Sequence, residues 1–396
     1  MEARVGEGCK QRANGARYDF AFPYIFWHEF CCYSLGCQPF FGIFARARGE
    51  VSVRHCSVQT FRTQSKEDTM KKRYSAVFAI LLILLTVAPV FGQAAKKQLT
   101  FLFMPGVQDP FYTTMEKGVR AKCKELGVNL IVAEYPKAWG PEYQVPILQA
   151  YAQRGGFDGL LIAPTSVDAL KAPLKAIYDK GVEIITVDTF LGDGDYSKPN
   201  TDYNFPLSYI GSDNYLGGKM IAEHLAKLVG EKGKVFCEAT NPDASSVAAR
   251  VKGFRDGIAQ FPNMKLVGVE WCLDVQQKAQ EQTLAALQKD KDIVGIFGTN
   301  VFSAQGANQA VVNAGLVGAI KIASWDATIT NIENLKKGVI DLVLAQKPGE
   351  MGSLGVEWLY KYLTQKVQVP KKVIPGFEFF TKDNVNDPNM QQYIYQ

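Results

Sequence analysis

From residue 98 onward the chain alternates between two hydrophobic patterns. Short continuous runs of Val, Ile, Leu and Phe end in Gly, Pro, Asp or Asn, and a longer stretch with apolar residues at helical spacing follows each. The runs predicted as strands are "QLTFLFMP" (98–105), "NLIVAEY" (129–135), "DGLLIAP" (158–164), "EIITVDT" (183–189), "SYIGSD" (208–213), "KVFCEAT" (234–240), "LVGVEWC" (266–272), "IVGIFGT" (293–299), "IKIASWD" (320–326) and "DLVLAQ" (341–346). Segments such as "YTTMEKGVRAKCKELG", "VDALKAPLKAIYDKG" and "VQQKAQEQTLAALQKD" read as the helices between them. Continuous apolar strands joined by helical crossovers build parallel sheets covered on both faces. So many strands exceed a comfortable single sheet, and the pattern predicts an α/β protein of two doubly wound domains.

The pattern changes before residue 96. "MKKRYSAVFAILLILLTVAPVFGQAA" (70–95) has a Met, three basic residues, an apolar run from Ala76 to Val87, a helix-breaking Pro89 and small residues near 92–94. These are the three parts of an export signal. The apolar run is shorter than the roughly 20 residues a membrane anchor needs. Residues 70–94 are therefore expected to be a cleaved signal peptide, which makes the protein periplasmic. Residues 1–69 lack periodicity and hold Cys9, Cys31, Cys32, Cys37 and Cys56. A signal does not work behind a folded domain, so translation is expected to begin at Met70, with 1–69 as untranslated upstream or disordered sequence. The rival, a small metal-binding domain, lacks a regular cysteine frame.

Charge narrows the partners. The formal charge of +5 comes from the first 95 residues, and beyond them Lys and Arg balance Asp and Glu. No basic field remains to attract nucleic acid. Cys123, Cys237 and Cys272 lie too far apart in sequence for a disulfide framework. His224, on the amphipathic stretch "GGKMIAEHLAKLVG", is the only histidine after residue 96. A multi-histidine metal site or a Ser-His-Asp triad is thereby unsupported.

In doubly wound folds ligands meet the carboxyl ends of strands. Asp109, Asp188, Asn300, Asp326 and Gln346 all stand there, with the aromatic pair Phe111 and Tyr112 beside the first. Singly, an Asp or Asn at such a place is more often a helix cap or turn former; together they suggest a site. No glycine-rich phosphate motif occurs at a strand–helix junction. "LGDGDYSKPNTDYNFP" (191–206) carries clustered acids but departs from a calcium-loop pattern, and a solvated loop is expected.

At this point the chain resembles the type I periplasmic binding proteins of the ribose/galactose class, the substrate-capturing subunits of sugar ABC importers. The resemblance spans roughly 98–390 and follows the order of motifs: "QDPFYTTMEKGV", "IITVDT", "YIGSDNYLGGKMIAEHL", "SSVAARVKGFRDGI", "IFGTNVFSAQGANQAV", "IASWDAT" and "LVLAQKPGEMGSLGVE". It implies two Rossmann-like lobes joined by a three-stranded hinge. The chain would cross near Ser212, Gln346 and Gly376, giving lobes of 96–211 plus 347–376 and 212–346 plus 377–396. Carried over by motif, the ligand contacts are Asp109, Phe111, Tyr112, Asp188, Arg250, Asn300, Asp326 and Gln346. Thr189 stands where ribose-type members have Arg, and Val275 where an aromatic is usual. Trp139, or alternatively Trp271, is the candidate replacement for that ring.

The resemblance also implies a monomer that uses no cofactor, performs no catalysis and docks on a membrane permease. The ligand stays open among hexoses, pentoses, sugar alcohols and amine-bearing polar molecules. Alternatives from other classes are a chemoreceptor's sensor protein, a transcriptional repressor sharing this core, and a two-lobed enzyme using the carboxylates as acid and base.

Overall fold

The computed structural model describes residues 97–199 and 202–395; the export-signal segment and the stretch before it lie outside them. The first sheet holds β1 (Thr100–Met104), β2 (Asn129–Val132), β3 (Gly159–Ile162), β4 (Glu183–Val187), β5 (Ser208–Ile210) and β11 (Lys372–Val373), in the order β11-β5-β4-β3-β1-β2. The second holds β6 (Gly233–Ala239), β7 (Met264–Trp271), β8 (Ile293–Gly298), β9 (Lys321–Trp325), β10 (Leu342–Ala345) and β12 (Glu378–Phe380), in the order β12-β10-β9-β8-β6-β7. All pairings are parallel except β10 with β12. Each sheet therefore has the strand order of a doubly wound fold, whose crevice opens at the carboxyl edge.

The central strands are apolar because both faces are covered, whereas the edge strands β2 and β7 are only half-buried. In the first sheet Phe101, Phe103, Leu161 and Ile185 face α1 (Pro110–Leu126) and α9 (Pro348–Gln365). Leu102, Leu160, Ile162 and Ile184 face α2 (Pro141–Arg154) and α3 (Lys171–Tyr178). In the second sheet Val235, Phe297, Ala323 and Leu344 face α4 (Asn214–Leu228) and α5 (Ser245–Ile258). Phe236, Ile296, Ile322 and Val343 face α6 (Gln276–Lys289), α7 (Val301–Asn313) and α8 (Ile329–Lys337). This is the period-2 alternation of a strand buried on both sides.

The chain passes between the sheets three times, after β5, after β10 and after β11. Two of these crossings are tied together, since the Ser212 hydroxyl donates to Gln346 Oε1 at 2.7 Å. The solvated loop expected over 191–206 needs correction. Leu191, Tyr196 and Phe205 are buried in it, and the Tyr196 hydroxyl bonds Thr186 Oγ1 at 2.8 Å and accepts from Leu191 N at 3.0 Å. Its aromatic residues pack on the first sheet while Asp193 and Asp195 stay outside, paired with Lys198. Cys123, Cys237 and Cys272 are buried free thiols.

Candidate functional site

Between the carboxyl edges of the two sheets lies a cavity. Asp109, Phe111, Tyr112, Trp139, Asp188, Arg250, Asn300, Asp326 and Gln346 all line it. Sequence reasoning singled out each of these nine, and the fold brings all of them together.

The first lobe contributes the aromatic wall and two acids. Asp109 caps α1, its Oδ1 accepting from Tyr112 N at 2.8 Å. That cap sets the first turn, which places Phe111 and Tyr112 edge to face with centroids 5.1 Å apart. The Tyr112 hydroxyl donates to Asp188 Oδ2 at 2.7 Å. Asp188 follows β4 directly at φ 61, a left-handed turn that Asp tolerates better than most residues. Its Oδ1 is buried without a hydrogen bond. Trp139 enters from the β2–α2 connection, its ring against the backbone at Gly106, where a Cβ would lie 2.5 Å from the indole. The indole Nε1 is buried without a partner.

The second lobe contributes the guanidinium and its surroundings. Arg250 is buried on the first half of α5, stacked on Trp325 with 4.2 Å from Cζ to the ring centroid. Its Nε donates to Asn214 Oδ1 at 2.8 Å and its Nη1 to Thr299 O at 2.9 Å, while Nη2 lies 3.9 Å from Asp188 Oδ1. Asn300 caps α7 through a reciprocal box with Ser303 and donates Nδ2 to Asp274 Oδ1 at 2.8 Å. Asp326, at φ 71 after β9, accepts from Gln346 Nε2 at 2.9 Å and from the Tyr395 hydroxyl at 3.3 Å.

Burial raises the proton affinity of every acid here. Desolvation pushes Asp188 up to about 6, opposed by Arg250 and by the Tyr112 hydrogen bond. Asp274 is likewise pushed up to about 6 by desolvation, opposed by Asn300 and Arg250. Asp109 is held well above the usual carboxylate range by desolvation, and the neighbouring acids add to that. Asp326 is raised by desolvation against the pull of Arg250.

Three residues alter the sequence-based expectation. Trp271 is half-buried against the second lobe's core and does not line the cavity, whereas Trp139 does. Asp274 was not foreseen; it lies beyond β7 in the stretch "WCLD", and positive φ at both Leu273 and Asp274 turns its carboxylate inward. Tyr395 was also missed. It is buried beneath the site, where its hydroxyl accepts from Gln346 N at 2.7 Å and donates to Asp326, fixing both. Val107, Thr240, Ala244, Ser246 and Val247 complete the walls.

The lobes touch across this cavity. Phe190 N donates to Ser245 Oγ at 3.0 Å, and Trp139 packs against buried apolar residues of the second lobe as well as the first. The arrangement is a closed cleft with carboxylates, an aromatic wall and one guanidinium facing inward.

A family model described as periplasmic binding protein domain matches residues 101–366. Among solved structures, an ABC transporter solute-binding protein from Agrobacterium vitis bound with alpha-D-tagatopyranose is 38% identical, with a TM-score of 0.73, over 76% of this chain and 100% of that one. The ribose import binding protein of Salmonella typhimurium is 28% identical over 76% of this chain and 95% of its own length. The D-apiose import binding protein of Paraburkholderia graminis is 25% identical over 81% and 97% respectively.

Proposed function

Since the chain belongs to the type I periplasmic binding proteins of the ribose class, we propose that it captures a small sugar or polyol between its lobes and delivers it to an ABC importer. The observation that carries this reading is the convergence of Asp109, Phe111, Tyr112, Trp139, Asp188, Arg250, Asn300, Asp326 and Gln346 on one cavity. Sugar hydroxyls both donate and accept, and the CH face of the ring is apolar. Carboxylates take hydroxyl hydrogens, Arg250 donates through its fork, and the rings of Phe111, Tyr112 and Trp139 stack on the CH face. In a cleft that excludes water these charge-assisted bonds strengthen.

Because the groups come from both lobes, the ligand binds the closed form selectively, and closure becomes the signal read by the permease. The lobes of this reading are 96–211 plus 347–376 and 212–346 plus 377–396, turning about the crossings near Ser212, Gln346 and Gly376. The segment 70–94 exports the chain, which works as a periplasmic monomer and releases its ligand chemically unchanged.

A thermal-shift screen tests the reading with D-ribose, D-allose, D-tagatose, D-fucose, D-arabinose and D-apiose, followed by calorimetry. A ligand at a hundredfold excess over its Kd stabilises the folded state by about 2.7 kcal/mol. At least one of these sugars is expected to raise the melting point and to be recovered intact. No shift with any of them, or conversion of the sugar to product, contradicts the proposal.

A further inference from the structure

Four carboxylates face the cavity, those of Asp109, Asp188, Asp274 and Asp326, against the one guanidinium of Arg250. Among the described residues no lysine or histidine lines it. The hydrogen-bonding capacity is just as uneven. Arg250 spends Nε on Asn214 and one Nη1 hydrogen on Thr299 O, which leaves three of its five N–H groups. Asn300 and Gln346 each commit an amide N–H to an acid of the site, Asp274 and Asp326. The indole Nε1 of Trp139 is a buried donor without a partner, and the hydroxyls of Thr240 and Ser246 also line the cavity.

The acceptors are mostly unspent. Asp109 takes one bond from Tyr112 N, Asp188 one from the Tyr112 hydroxyl, and Asp274 one from Asn300. Asp326 takes two, from Gln346 and Tyr395. An ionised carboxylate accepts about four. Asp188 Oδ1 is buried in the cavity wall with no bond at all, 3.9 Å from the guanidinium. A buried acceptor of this kind is costly unless a ligand donor meets it.

We infer that the site selects ligands presenting hydroxyl or ammonium donors to this ring of acids and rejects sugars that carry a carboxylate or phosphate, with Asp274 as the residue that sets this selectivity. Arg250 balances one acid, and the nearest is Asp188; the acids beyond it stand unbalanced. An anionic substituent would join them in a water-poor cleft, where like charges repel strongly. The inference rests on the sugar reading above and narrows it.

The test is calorimetry at pH 8, where Asp188 and Asp274 are ionised, using matched pairs that keep the pyranose ring: D-galactose with D-galacturonate, and D-allose with D-alluronate. The neutral sugar that binds is expected to outbind its acid form by about tenfold or more. Asp274→Asn, which keeps side-chain shape, is expected to narrow that ratio by about threefold or more. An acid form binding within tenfold of its neutral partner overturns the selectivity, and an Asp274→Asn variant that leaves the ratio unchanged overturns the assignment to Asp274. If neither neutral sugar nor any sugar of the thermal-shift screen binds, the sugar reading itself falls and this inference with it.

Discussion

Asp188 stands at φ 61 immediately after β4, with one oxygen on the Tyr112 hydroxyl and the other facing Arg250 across the cleft. Removing a charged acceptor from a buried hydrogen bond costs about 1.5–3 kcal/mol. Asp188→Ala is therefore expected to weaken sugar affinity by roughly 10- to 150-fold in calorimetry. The same chemistry sets a pH dependence. Ligand hydroxyls bond the ionised form of Asp188 and Asp274, both pushed up to about 6 in the ligand-free cleft. Binding thus releases protons below that value, and affinity is expected to hold at pH 8 and fall as the pH drops through about 6. Glu238 gives a separate signature. It is fully buried in β6, with one oxygen on the Thr283 hydroxyl and the other unbonded, and desolvation pushes it up to about 8. The stability it confers as a neutral acid is complete below its ordinary value near 4.5 and is lost as pH rises through about 8. Melting curves from pH 5 to 9 are expected to show that loss, and Glu238→Gln to flatten it. The foreseen site residues were legible because they end apolar runs or sit in ordered motifs. Asp274 was hidden because it lies three residues past Trp271, and only the positive φ at Leu273 and Asp274 brings it back to the edge.

Arg250 is placed by a helix pair. A Cβ on Gly218 of α4 would lie 2.1 Å from the Arg250 carbonyl oxygen, and one on Gly253 of α5 would lie 2.0 Å from that of Tyr215. Only glycine lets the two backbones approach so closely. This approach is what brings Asn214 within 2.8 Å of Arg250 Nε. Gly218→Ala forces the helices apart, and overpacking of this kind costs about 1–3 kcal/mol or more. Its melting point is expected to fall and its sugar affinity with it, whereas a surface change such as Lys252→Ala leaves affinity untouched. The helix and strand periods were legible as elements, since each buried strand and its crossover helix fills a continuous window. β11 and β12 were not. They are two and three residues long, too short to show a period. The loop over 191–206 misled because its acids and turn formers mask the apolar residues, while Tyr196 and Phe205 decide where it packs.

The whole molecule links two parallel sheets by three crossings, with the site between their carboxyl edges. The strand count and the continuous apolar runs of the central strands made two doubly wound lobes legible from sequence. Which groups meet across the cleft was not, because contacts such as Phe190 with Ser245 depend on the closure itself. Closure is also where the account is most exposed. Small-angle scattering on the exported protein, without ligand and at saturation with the sugar that gives the largest thermal shift, measures it directly. A smaller radius of gyration with sugar, lost in Asp188→Ala under conditions where that variant remains folded and unliganded, is the predicted result. A radius unchanged by a sugar that calorimetry shows to be fully bound would contradict it.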